Sequence, residues 1–122
     1  MRFLPTRLHG ILDYAAGLGM LATPFLMGLH GLPAWLLWVA GAGALLYAAL
    51  TRYELGLWRV MPMNIHLGLD VLAGLALVGA PFLLGIAGRD AWPLFAFGTL
   101  SLLAGLFTRA APDSAPADAL RV

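Results

Sequence analysis

Two histidines each stand four residues before an aspartate, as His9 with Asp13 and His66 with Asp70. Four residues of helix are about 6 Å of rise and a small rotation, so each pair shares one face. Gly17 and Gly74 carry the same face on by another four residues, giving His-x3-Asp-x3-Gly twice. A glycine there lets a neighbouring helix approach closely, or leaves room for a bound group. Imidazole and carboxylate side by side support three kinds of chemistry. All four groups could ligate a divalent metal such as Zn²⁺, Mn²⁺ or Fe²⁺. His9 and His66 alone could ligate a haem, each Asp orienting its His from outside. Or the groups could hold and pass protons or a small ion, because His titrates near neutrality and burial brings Asp towards it. The plain structural use of the same residues is polar glue between helices, on the order of 1 kcal/mol per bond.

The surroundings of these groups are apolar. Of 122 residues, 61% are hydrophobic and only 11% charged, and mean hydropathy is +0.89. An ordinary soluble domain carries roughly 25% charged residues. The composition excludes a soluble enzyme, a disulfide scaffold and a disordered chain, and points to an integral membrane protein whose first partner is the lipid bilayer. The chain has no cysteine, which removes thiolate chemistry. A net charge of +1 offers no basic stripe for nucleic acid. No Gly-rich phosphate loop and no recognisable nucleophile–base pattern marks an enzyme.

Four segments reach the length of about 20 apolar residues that a bilayer demands: 8–27, 32–50, 65–84 and 92–107, the last with room to start earlier. Continuous apolar runs without alternation read as helices, since lipid offers backbone groups no partner. Gly- and Pro-bearing breaks at 28–33 and 85–90 are short, so each pair of spans is an antiparallel hairpin. Pro24 and Pro81 are expected to kink or end their helices. The connection 51–64 mixes Arg52, Tyr53, Trp58 and Arg59, as a segment at headgroup level does. Arg2, Arg7, Arg52, Arg59, Arg109 and Arg121 fall on one side of this layout and Arg89 alone on the other. That bias places both termini in the cytoplasm. Residues 110–122 are expected to be a disordered cytoplasmic tail.

The chain also repeats. Shifted by 57 residues, 2–52 align with 59–109 without a gap, and 21 of the 51 positions are identical. The identities include Arg2 with Arg59, Pro5 with Pro62, both His and Asp, Pro24-Phe25-Leu26 with Pro81-Phe82-Leu83, and Thr51-Arg52 with Thr108-Arg109. Shared hydrophobicity alone would not fix Pro, His, Asp and Arg at one offset. Each unit has two spans, so the copies enter from the same side as parallel repeats related by a pseudo-two-fold axis along the membrane normal. The fold expected is therefore an all-α four-helix membrane domain over residues 1–109, with repeats 2–52 and 59–109.

The motif Leu4-Pro5-Thr6-Arg7-Leu8-His9-Gly10-Ile11-Leu12-Asp13-Tyr14, with Tyr53-Glu54-Leu55-Gly56 and Ile65-His66-Leu67-Gly68-Leu69-Asp70, resembles the SPW repeat family of small bacterial membrane proteins. The family's Ser-Pro-Trp tripeptide stands here as Thr23-Pro24-Phe25 and Ala80-Pro81-Phe82, keeping only the proline. The resemblance implies a bacterial inner-membrane protein built of two-helix repeats. It implies no activity.

The function expected is proton or small-ion transport at a His9/Asp13/His66/Asp70 layer, with a membrane-embedded metal or haem protein and a purely structural or assembly protein as the alternatives. Arg52, Arg109, Gly17 and Gly74 are candidate accessory residues. The symmetry predicts contacts across the repeats, His9 with Asp70 and His66 with Asp13, in preference to contacts within a helix. His30, without a histidine counterpart, reads as a solvated loop residue. The small-residue run Gly41-Ala42-Gly43-Ala44 offers a surface for a homodimer.

Overall fold

A computed structural model describes residues 1–113. It consists of α1 (Thr6–Met27), α2 (Leu32–Leu50), α3 (Met63–Leu84) and α4 (Trp92–Phe107), with a 3-10 turn at Gly88–Asp90. All four helices are long and apolar enough to cross a membrane, α4 together with the turn that leads into it. The chain is thus an all-helical protein of the multi-pass membrane type.

The helix starts follow the prolines. Pro5 and Pro62 hold extended backbone, with ψ near 143° and 147°, and α1 and α3 begin at the next residue. Each starts two positions before the apolar run that hydropathy alone detects. Pro24 and Pro81 do not end their helices, contrary to one half of the expectation for them. α1 and α3 run on to Met27 and Leu84 and stop at Gly28 and Gly85, whose φ values of 64° and 68° suit glycine. The Pro24 carbonyl accepts the Leu29 amide at 2.9 Å and the Pro81 carbonyl the Ile86 amide at 3.0 Å. The proline carbonyl therefore closes the helix end.

α1 packs along α2 and α3 along α4, while lighter α2–α3 and α1–α4 contacts close the ring. α1 and α3 accordingly face each other on a diagonal. Close packing inside each hairpin runs through glycine. A Cβ on Gly41 would lie 2.8 Å from the Gly17 carbonyl, and one on Gly74 would lie 2.7 Å from the Gly98 carbonyl. Gly41 is consequently buried inside the hairpin and is not part of an outward dimer surface. Towards the Gly28 and Gly85 turns the core is Met20, Leu29, Leu37, Leu77 and Leu94.

At the other end, backbone straps tie the segments before α1 and α3 to the ends of α4 and α2. Phe3 and Leu4 amides donate to the Phe107 carbonyl, both at 2.9 Å, and Val60 and Met61 amides donate to the Leu50 carbonyl, both at 2.8 Å. The Asp113 amide donates to Thr6 Oγ1 at 2.8 Å, so the start of the expected tail lies against α1. The rest of that tail, Arg121 included, lies outside the described residues. At the turn end, the Arg89 guanidinium donates to the Met27 carbonyl, placing a cation on the negative end of α1.

Candidate functional site: a buried His/Asp centre

His9 and His66 are each the fourth residue of a helix that starts after an extended proline, so they sit at the strapped end of the bundle. Asp13 and Asp70 follow one turn later on the same faces. Across the α1–α3 diagonal the four side chains converge. One ligand atom from each lies within 4.8 Å of the others, and all four residues are buried. Both histidines are fully buried, and Asp70 retains 3% of its surface.

The expected contacts across the diagonal are formed, with His9 Nε2 at 3.0 Å from Asp70 Oδ2 and His66 Nε2 at 3.1 Å from Asp13 Oδ2. They are not preferred over the contacts within each helix. His9 Nε2 is 3.1 Å from Asp13 Oδ1, and His66 Nε2 is 3.3 Å from Asp70 Oδ2. The two Nε2 atoms are themselves 3.0 Å apart. The side chains meet at one point and do not form separate ion pairs.

The outer ring nitrogens decide the chemistry. His9 Nδ1 lies 2.7 Å from Thr108 Oγ1, and His66 Nδ1 lies 2.7 Å from Thr51 Oγ1. Each threonine hydroxyl already donates to a carbonyl one turn back, Thr108 to Ala104 at 2.6 Å and Thr51 to Tyr47 at 2.5 Å. A hydroxyl has one proton to give. Each threonine oxygen must therefore accept, and each histidine carries its proton on Nδ1. With Nδ1 so engaged, both Nε2 atoms face the centre and its two carboxylates.

Tyrosines hold the carboxylates. Tyr53 Oη donates to Asp13 Oδ2 at 3.0 Å, and Tyr47 Oη donates to Asp70 Oδ1 at 2.7 Å. Tyr53 belongs to the connection between α2 and α3 and packs over Gly10, where a Cβ would come within 2.7 Å of its ring. Burial, and then the Asp13 carboxylate, push the Tyr53 hydroxyl up from its ordinary pKa, so it remains a neutral donor. Asp70 Oδ2 is buried, receives no tyrosine or backbone donor, and faces only the imidazoles, 3.0 Å from His9 Nε2 and 3.3 Å from His66 Nε2.

Several sequence candidates do not join the centre. Arg52 Nε donates to the Arg59 carbonyl at 3.1 Å, and Arg109 pairs with Asp113 at 3.8 Å. Neither meets Asp13 or Asp70. Gly17 and Gly74 serve hairpin packing and leave no room for a ligand, since a Cβ on either would strike the partner helix. His30 is exposed, as expected of a loop residue. Thr51 and Thr108 are the residues sequence reasoning passed over, although their match at the 57-residue offset was a visible signal. Tyr47 carried none, and Tyr53 stood out only in the motif Tyr53-Glu54-Leu55-Gly56, because their positions at the 57-residue offset hold Ala104 and Ala110.

The donor set fits a small divalent ion. Metal bonds of about 2.0–2.2 Å put neighbouring ligand atoms roughly 3–3.5 Å apart, and the nitrogen–nitrogen and nitrogen–oxygen separations here are 3.0–3.3 Å. Nδ1–H groups donating outward are the usual support for imidazole ligands. A haem does not fit. Iron held from opposite faces of a porphyrin separates its axial nitrogens by roughly 4 Å, and here Asp13 and Asp70 occupy the space the ring would need. No known family, no functionally described protein and no solved structure matches the chain.

Proposed function

We propose that the protein is a membrane-embedded metal-binding protein that holds one divalent transition-metal ion between His9, Asp13, His66 and Asp70. The observation that carries this is the convergence of two imidazole nitrogens and two carboxylates in a buried volume, with Asp70 Oδ2 met only by the imidazoles. Unpaired charge in an apolar interior is costly, so positive charge has to enter. One proton shared between the two Nε2 atoms would leave a net negative layer. Protonating both would balance the two carboxylates but crowd two N–H groups across 3.0 Å. A divalent ion takes both lone pairs and neutralises both carboxylates at once. The imidazoles favour a transition metal such as Zn²⁺, Fe²⁺ or Mn²⁺ over Ca²⁺ or Mg²⁺.

Retention is favoured over passage of the ion. Beyond the layer the core narrows to Met20, Leu37, Leu77 and Leu94, which offer an ion no polar group. The two hairpins are read as copies of one unit about an axis along the membrane normal, because their straps, helix ends and metal ligands correspond at the 57-residue offset. With the resemblance to SPW repeats and the bias of Arg side chains, this makes a bacterial inner-membrane protein with cytoplasmic termini and the centre near the cytoplasmic face.

Elemental analysis of the purified protein tests the proposal. One divalent metal per chain is expected, falling to background in Asp70→Asn. A wild-type protein that takes up no stoichiometric metal from Zn²⁺, Fe²⁺ or Mn²⁺ solutions overturns it.

A further inference from the structure

A cavity of about 30 Å³ lies inside the bundle directly against the centre. Asp13, Asp70, Tyr47 and Ser101 form its polar end, while Ala16 and Ala73, one turn further along α1 and α3, stand on its walls. Neither histidine lines it. It therefore opens on the carboxylate side of the four ligands, opposite the imidazoles. A water needs roughly 10–15 Å³ of such space and two to four polar partners, and this cavity offers both.

We propose that the metal keeps a fifth coordination position facing this cavity, open to a single water-sized ligand. The proposal rests on the metal reading above and says what kind of centre it is. A purely structural four-ligand site is closed, whereas a site that exchanges ligands keeps one position open. The surrounding hydroxyls suit a bound water. Tyr47 Oη uses its proton on Asp70 Oδ1 at 2.7 Å, and Ser101 Oγ uses its proton on the Asp70 carbonyl at 2.9 Å. Tyr47 and Ser101 also lie within hydrogen-bond reach of each other, and between them they keep acceptor capacity for a proton of a metal-bound water. The cavity is too small for an organic substrate, so the ligand class is water, hydroxide or a diatomic molecule. Ala16 and Ala73 keep that space, because any longer side chain there would fill it.

The test uses the full chain loaded with Co²⁺ in detergent, with ¹⁷O-enriched water as the ligand probe. Wild type should show the weak visible bands of five-coordinate cobalt and a cobalt EPR signal broadened by ¹⁷O. Ala73→Leu should bind the same cobalt, lose the broadening and gain several-fold in visible absorption as the ion becomes four-coordinate. Intense four-coordinate bands without broadening in wild type overturn the open position and leave the metal reading standing. Broadening that persists unchanged in folded Ala73→Leu also overturns it, because the water then binds elsewhere. Failure of wild type to bind cobalt removes the metal reading and this inference together. Should Ala73→Leu not fold, broadening in wild type alone decides.

Discussion

Thr108 Oγ1 accepts from His9 Nδ1 at 2.7 Å while donating to Ala104 one turn back at 2.6 Å. A hydroxyl at the end of the last helix thereby sets the tautomer of an imidazole on the first. Thr51 does the same for His66.

Thr108→Val keeps the shape and removes the acceptor. Metal affinity, measured by competition with a chelator, should fall roughly 10–100-fold. Thr108→Ser should restore most of it. Equal affinities for wild type and Thr108→Val would show that the hydroxyl does not orient the ring.

The four ligands act at one point, so losses should not add. Asp13→Asn and His66→Ala, combined, should cost less in thermal stability than the two single losses summed, with a coupling of about 0.5–3 kcal/mol. Additive losses would mean that the contacts across the diagonal carry no energy.

Tyr53 and Tyr14 separate support of the metal from support of the connection. Tyr53 Oη donates to Asp13, whereas Tyr14 Oη donates to the Leu55 carbonyl at 2.8 Å. Tyr53→Phe should weaken metal binding about ten-fold. Tyr14→Phe should leave metal binding intact and cost about 0.5–1.5 kcal/mol of stability. The opposite ranking in a chelator competition would exclude Tyr53 as a support of the carboxylate.

Much of the centre was legible in the residues themselves. His-x3-Asp places two groups on one helical face whatever the tertiary fold, and its return at a fixed offset marked both pairs at once. The threonines were visible as matched identities, but a hydroxyl at a helix end ordinarily bonds its own carbonyl, which masked a second partner from another helix. Tyr47 reaches Asp70 only because α2 crosses beside α3, and no local pattern encodes that crossing. Arg52 and Arg109 were matched just as well as the threonines, yet one residue further along the backbone turns their side chains out of the bundle.

The glycines divide just as sharply. Gly74→Ala would bring a Cβ to 2.6 Å from the Leu102 amide nitrogen and 2.7 Å from the Gly98 carbonyl, whereas a Cβ on Gly43 meets nothing within 4 Å. Gly74→Ala should lower stability by about 1–3 kcal/mol, and Gly43→Ala should raise it by about 0.5–1 kcal/mol. Melting curves in detergent distinguish the two, and equal shifts would contradict the close approach of α3 and α4.

The link between Thr108 and His9 also orders events during synthesis. His66 can find its hydroxyl as soon as α3 follows α2, because Thr51 has already emerged by then. His9 waits for almost a hundred further residues, until α4 is complete and the strand before α1 can be strapped to it. A chain interrupted before Thr108 would leave the ribosome with its first imidazole unfixed. On the metal reading proposed above, the centre reaches its full affinity only when the last helix has arrived.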